Sequence, residues 1–596
     1  MTVMNICKFS SLIAVVTGFY KSIEEQLRDK CNWREVFIEK LNIPRVSTDP
    51  KCLLLLAHSS DKKTAIYGVH QLTKLHFPDW LLLPLLQQCD SSVLSALILL
   101  HSPTANLIRT PPPCNIIPEG ELHSSIRECL ASLSRRGGDV CTTFYTELAL
   151  YMKHFQSSSE DELLAGIVDA EYKLGDKLPH LRKFTMYLEA LAAHSADVTT
   201  CKEMSHPDLL GLLWSCWHCT QYSSDVKIKS LILKTLANLA AFNLSIGDAL
   251  IRAGWSKILN ECKKDRKRLQ LQLLATKTLE NLARRFPDSP TYEDGIYLLK
   301  GSCWDRDQYD ADIIFVHGLR GGMFRTWRQK DYTKEKDSIL NEINMKAPQI
   351  YCWPRVCMEI ASCYFTEFSF QDWLAEDINK PVRILGIDYD SYVSDWSSRC
   401  PEFYDKLNLL LSRSENFAAK LRKAGVGDRP IIWITHSMGG LLVKELLRSI
   451  DKEQCSETQS GTNSILSNTV GCVFYATPHL GSSLATTSQS RILRLFLLPS
   501  TEINLLQESS PYLVELNLDF LNILQKQQIA CLSFSETLPS RLPFTAFKVL
   551  LVSENSSQAI PGSKYRLLES HFNVCKPQDR HAISYRALVD FISAII

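Results

Sequence analysis

The run Thr435-His436-Ser437-Met438-Gly439-Gly440 places a serine between an apolar stretch, IIWI at 431–434, and the amphipathic LLVKELLRSI that follows. A serine hydroxyl is a weak nucleophile until a base stands beside it and a sharp strand-to-helix turn lifts its oxygen above a sheet. Such a turn needs small residues two before and two after the serine, because the backbones approach closely there. Gly439 meets that need; Thr435 replaces the first glycine of G-x-S-x-G, and the turn must relax slightly to hold it. Acyl transfer at Ser437 also requires donors for a developing oxyanion. The backbone N–H of Met438 is one candidate. The glycine-rich HGLRGG at 317–322 supplies the other, from Leu319 or Arg320.

The chain order expected around such a serine is nucleophile, acid, histidine. Glu536, in SETLP, ends the apolar run 529–535. His571, in SHFNVCKP, follows a further run, 547–553, and a loop. Glu536 is the expected acid and His571 the expected base. Glu554 is the alternative acid and His581, at the start of the last helix, the alternative base. His317 stands directly before the oxyanion glycines and reads as structural; His479, in TPHLGS, precedes either acid and reads as lining the site. The tetrad Cys216-Trp217-His218-Cys219 lacks the second ligand pair a zinc site needs, and there is no nucleotide motif. No metal and no cofactor are expected.

Short apolar runs at 312–318, 382–389, 431–437, 471–478, 529–536 and 547–554 alternate with helical stretches. That alternation predicts an α/β domain over 296–596 with a mostly parallel sheet and helices on both faces, the α/β-hydrolase arrangement. PDSPTYEDG at 287–295 reads as the linker before it. Upstream, over 31–286, the pattern is helical. TLANLA at 235–240 and TLENLA at 278–283 recur at a 43-residue period, within the range of armadillo and HEAT units. ALIRAGWSKILNEC at 249–262 fills the interval, with Gly254 as its break. The run Pro111-Pro112-Pro113 marks a loop among earlier helices at 61–76 and 88–101. This predicts an all-α armadillo/HEAT-like region whose concave face binds a protein partner; the alternative is a plain helical domain.

The first 30 residues carry an uncharged apolar run, 9–20, with Lys8 before it and Lys21 after it, and the apolar character extends back through Ile6. It is shorter than the roughly 20 apolar residues of a bilayer span. A membrane anchor is the leading reading, with a packed helix and a signal-peptide core as alternatives. The 596 residues carry a net charge of +1, from 66 basic and 65 acidic side chains, which gives no footprint for nucleic acid. The stretch 484–524, with its RILRLFLLP, reads equally as an apolar lid or as a segment packed on the sheet.

THSMGGLLVKELL, HGLRGG with Trp327, TPHLGS, SETLP and HFNVCKP, taken in order, resemble the serine-active-site lipases related to the GPI-inositol deacylases. The resemblance covers 291–596 and extends to the helical repeats before it. It implies an α/β-hydrolase with Ser437 and His571 on the family's active-site positions, and Glu536 as the acid. It further implies phospholipid, specifically phosphatidylglycerol, remodelling at contacts between mitochondria and endoplasmic reticulum, from a membrane-associated N-terminus. Against the family's pattern, Val356–Gln371 looks inserted between CWPR at 352–355 and DWLAED at 372–377. Hydrolase and acyltransferase outcomes share every residue named. The competing readings are a non-catalytic scaffold that keeps the fold but has retired its chemistry, and a deacylase or thioesterase acting on soluble esters or acylated protein.

Overall fold

The computed structural model describes residues 50–74, 83–100, 116–136, 140–150, 179–327, 369–389, 409–456, 464–482, 510–541 and 548–596, with gaps of one or two residues inside the second and fifth of these. The apolar 6–20 run, Pro111-Pro112-Pro113, Arg320, residues 356–368 and RILRLFLLP lie outside the described residues. Among the described residues, no helix is long and apolar enough to cross a membrane.

The N-terminal half is helical. Helices α1 (Pro50–Ala57), α2 (Lys62–Leu72), α3 (Ser91–Leu99), α4 (Leu122–Ser134) and α5 (Val140–Leu150) lead to α6 (Pro179–Ala196) and α7 (Pro207–His218). Then come α8 (Val226–Phe242), α9 (Ile246–Arg252), α10 (Trp255–Lys264) and α11 (Leu269–Leu282). Aspartates cap several of them: Asp61, Asp90 and Asp225 accept backbone N–H groups of the first turns, satisfying donors that have no intrahelical partner. Gly254, at φ 81°, separates α9 from α10 in a conformation that glycine adopts without a Cβ penalty.

The two TLxNLA copies lie on α8 and α11, which pack on each other, and α8 packs on α6 in turn. The asparagine of each copy reaches a helix packed against its own. Asn281 Nδ2 donates to the Ala237 carbonyl at 3.1 Å, and Asn238 Nδ2 donates to Ser195 Oγ at 3.1 Å. Both asparagines are fully buried, so each bond removes an otherwise unmet donor from an apolar stack.

The C-terminal half is built on a seven-stranded sheet of order β1-β3-β2-β4-β5-β6-β9. Its strands are β1 (Ile296–Lys300), β2 (Ala311–Val316), β3 (Val382–Ile387), β4 (Ile431–His436), β5 (Thr469–Tyr475), β6 (Ala530–Glu536) and β9 (Ser563–Leu567). Only β1 is antiparallel to its neighbour; the other pairings are parallel. One face is covered by α13 (Leu409–Lys423), α14 (Met438–Ser456) and α15 (Pro511–Gln527), the other by α12 (Ser369–Asp377), α16 (Ile583–Ile595) and the helical half. A mixed sheet with one antiparallel edge, helices on both faces and a strand-to-helix turn at its centre is the α/β-hydrolase arrangement.

Two elements differ from the sequence expectation. The run 547–554 does not enter the sheet: only Lys548–Val549 (β8) pairs, with Ser540–Arg541 (β7), in a small ribbon. The last sheet strand is β9, whose Ser563, Lys564, Tyr565 and Arg566 are exposed. Charged residues on an edge strand discourage pairing with other chains, and they also erase the apolar pattern by which a strand is read. The first turn of α12 is Ser369-Phe370-Gln371, so the apparent insertion runs into a helix whose Trp373 and Leu374 are buried.

The stretch 287–295 is anchored on both sides. Asn281 pairs with the Tyr292 backbone through both its amide groups, at 2.9 Å each. Arg284 donates to the carbonyls of Ala240 and Ala241 and to Thr291 Oγ1. From the sheet side, Lys420 Nζ donates to the Asp294 carbonyl at 2.9 Å. Lys277, fully buried on α11, donates to the Glu293 carbonyl and lies 4.9 Å from the Tyr297 ring centroid. One hydrophobic core runs from the helical half into the β1 side of the sheet.

Candidate active site

Ser437 occupies the turn between β4 and α14 with φ 53°, a left-handed backbone that costs a non-glycine residue on the order of 1–2 kcal/mol. Its surroundings over-determine that strain. The Ser437 N–H donates to the Tyr475 carbonyl at 2.9 Å, and Gly440 N–H donates to the Ser437 carbonyl at 3.1 Å. Gly439 lies against the Val316 and His317 carbonyls: a Cβ there would come 2.6 Å from Val316 O. Gly318 faces the turn from the other side, where a Cβ would come 2.7 Å from Ser437 Cβ. Thr435 is fully buried on β4, and its hydroxyl donates to the Val473 carbonyl on β5 at 2.9 Å. That bond satisfies the extra polar group where G-x-S-x-G has glycine.

The three side chains expected to act together meet in one hydrogen-bonded line. His571 Nε2 lies 3.0 Å from Ser437 Oγ, and His571 Nδ1 lies 2.6 Å from Glu536 Oε2. Glu536 ends β6, in register with Leu567 of β9, and is 1% exposed. Its other oxygen, Oε1, accepts the N–H groups of Leu551 and Val552 at 2.7 and 3.0 Å. The apolar run 547–554 thus contributes backbone donors that fix the acid's rotamer, leaving Oε2 for the imidazole. A carboxylate so held selects the tautomer with the proton on Nδ1 and leaves Nε2 free to accept from the serine.

The other sequence candidates lie elsewhere. Glu554 opens a short helix, Glu554–Ser557, is partly exposed and pairs with Arg566 at 3.1 Å. His581 is exposed, its N–H donating to Asp579. His479 is buried with its Nδ1 3.1 Å from Lys444 Nζ, which also donates to Asn517 Oδ1 at 2.7 Å on α15. Lys444 is fully buried, and that burial lowers its ammonium to about 7. His317 is buried beneath Tyr389, the rings parallel and 4.4 Å apart.

The residue that the sequence reading passed over is His436. Its Nε2–H donates to the His571 carbonyl at 2.9 Å, tying the base's loop to the nucleophile's strand. Burial, with the neighbouring His571, pushes this imidazole far below its ordinary range, so it is neutral. Ser540 Oγ accepts the His571 N–H at 3.1 Å and holds the loop from the other end. Nothing in T-H-S-M-G spacing announces a contact with a loop 135 residues away.

Met438 is the first residue of α14, so its N–H is among those without an intrahelical acceptor. Leu319 lies in a turn closed by Gly321 N–H to Gly318 O at 2.9 Å.

No family model matches the chain. Protein SERAC1 of Bos taurus is 32% identical to it over 552 residues, covering 91% of this chain and 78% of that protein. The chain belongs to the SERAC1 family. SERAC1 of Homo sapiens is 31% identical over 551 residues, with the same coverage. Among solved structures, the mature Bacillus licheniformis lipase BlEst2 aligns with 48% of this chain and 93% of its own, at 14% identity and a TM-score of 0.30. The SERAC1-family likeness spans both halves, the helical one included, so the two are features of one family rather than a hydrolase with an unrelated appendage.

Proposed function

We propose that this SERAC1-family chain is a serine hydrolase or acyltransferase acting on lipid esters. The observation that carries it is the unbroken line Ser437–His571–Glu536 at the C-terminal ends of the sheet strands. As Ser437 attacks an ester carbonyl, His571 Nε2 takes its proton, and Glu536 holds the imidazole in place and stabilises the imidazolium. The carbonyl oxygen, now negative, meets the N–H of Met438 and a second N–H from the 317–322 loop, that of Leu319 or Arg320. His571 returns the proton to the leaving alcohol. The acyl-serine is then resolved by water, giving an acid, or by a second lysolipid hydroxyl, giving a new ester.

The substrate reading is phospholipid, with phosphatidylglycerol remodelling at contacts between mitochondria and endoplasmic reticulum as its specific form. The family resemblance supports it. The apolar 6–20 run is the proposed membrane attachment, and the helical half, read as armadillo-like, is the proposed seat of a protein partner. Lipid profiling of cells carrying the wild type or Ser437→Ala tests the substrate. Accumulation of a phosphatidylglycerol species of altered chain composition in the variant is the expected result; an unchanged phospholipid profile overturns it. Deleting residues 1–21 tests the attachment, with release into the soluble fraction expected and unchanged membrane fractionation contradicting it.

A further inference from the structure

We infer that Asp388 is a positioning residue for the oxyanion loop, acting through His317 and Met323 at that loop's two ends. The inference rests on the reading of Ser437 as an acyl-transfer nucleophile and extends it to the element that aims the second donor.

The loop 317–323 leaves β2 and crosses in front of the nucleophile turn. It contains Gly318, Gly321 and Gly322, which supply little rigidity of their own; Gly318 admits close approach to Ser437. Oxyanion donors act only when held within about 0.5 Å of the productive geometry, so something outside the loop must fix it. Asp388, just beyond the end of β3, reaches both ends with one oxygen. Its Oδ1 lies 3.1 Å from His317 Nε2 and accepts the Met323 N–H at 3.0 Å.

Each end is then locked further. His317 Nδ1 donates to the Gly318 carbonyl at 2.9 Å, the same carbonyl that closes the turn around Leu319. Tyr389 covers the imidazole face and donates its hydroxyl to the His317 carbonyl at 2.7 Å. The Met323 side chain fills the space over Gly386 of β3, where no Cβ would fit. The Asp388 N–H is itself fixed to the Gly295 carbonyl at 2.8 Å. The carboxylate is thus a staple between strand β3 and a loop that has few rigid residues, and the Leu319 N–H lies inside the stapled segment.

The test uses the purified full chain, a soluble p-nitrophenyl ester, and a trifluoromethyl ketone that forms a tetrahedral adduct with an active serine. Asp388→Ala should lower kcat roughly tenfold to a hundredfold with KM within twofold, the scale of a misplaced oxyanion donor. The ketone should weaken by the same factor, because it mimics the tetrahedral state and not the substrate. Asp388→Asn keeps an acceptor for the Met323 N–H and should fall between wild type and alanine in both measurements. His317→Ala combined with Asp388→Ala should be no worse than the poorer single variant, since the two act as one unit. Wild-type kcat and ketone affinity in folded Asp388→Ala overturn the inference. If that variant does not fold, unchanged values in Asp388→Asn overturn it instead. A wild-type chain that neither hydrolyses the ester nor binds the ketone overturns the reading of Ser437, and the inference with it.

Discussion

Replacing Glu536 by glutamine changes one atom, and the surroundings decide what that atom does. In the wild type, Oε1 accepts two backbone N–H groups, from Leu551 and Val552, and Oε2 faces His571 Nδ1 at 2.6 Å. A glutamine that turned its NH2 toward Leu551 and Val552 would set donor against donor twice in a buried site. The single clash at His571 is the smaller cost, so the NH2 points there. His571 must then accept at Nδ1 and carry its proton on Nε2, directed at Ser437 Oγ, and a protonated Nε2 cannot take the serine proton. The equivalent change in a serine protease lowers kcat by about 10⁴ with geometry intact. Glu536→Gln should therefore lose roughly a thousandfold to ten-thousandfold in kcat. Its stability should change by only about 1 kcal/mol, since one buried hydrogen bond is weakened and none of the packing is lost. Glu554→Gln is the control: its exposed pair with Arg566 contributes roughly 0–1 kcal/mol and no catalysis, so kcat should stay within twofold. Steady-state hydrolysis of a chromogenic ester, with thermal melts of both variants, decides the matter. A Glu536→Gln enzyme within tenfold of wild type, or a larger loss in Glu554→Gln, would refute the assignment of the acid.

Other consequences follow from the same contacts. Removing residues 1–286 uncovers apolar surface on the β1 side that shares a core with α11, and cuts the Asn281 and Arg284 bonds to 291–292. The isolated sheet domain should be insoluble or associate in size-exclusion chromatography; a monodisperse, active fragment would contradict the shared core. Lys277 and Lys444 are each held near 7 by burial, against an ordinary value of 10.5. Between pH 7 and 10.5 the unfolded chain binds protons that the folded chain does not, so each lysine makes stability rise with pH, by at most about 1.4 kcal/mol per unit. Lys444→Met should flatten the rise in urea midpoint between pH 7.5 and 9, and an unchanged slope would count against that burial.

What the sequence made legible was local. The nucleophile turn could be read because β4, the serine, Gly439 and α14 are contiguous, and their patterns switch from strand to helix within six residues. Glu536 and His571 could be read from order along the chain. What escaped were features fixed by distant backbone. The 547–554 run is apolar enough to pass for a sheet strand, yet its Leu551 and Val552 amides serve Glu536 instead. β9 is a sheet strand with four exposed residues, so its composition resembles a loop. His436 and Asp388 carry no motif, because their partners, the His571 carbonyl and the Met323 N–H, are main-chain groups brought close only by the fold.

The claim that Ser437 is the nucleophile of a working hydrolase is tested most directly by fluorophosphonate labelling of the purified chain, with the modified residue located by peptide mass spectrometry. The phosphonate bonds covalently to a serine activated by its base and leaves ordinary hydroxyls unmodified. One label per chain, on Ser437, absent from Ser437→Ala and strongly reduced in His571→Ala while both variants remain folded, is the predicted result. A folded wild-type chain that takes no label, or one that labels equally well as Ser437→Ala, would contradict it.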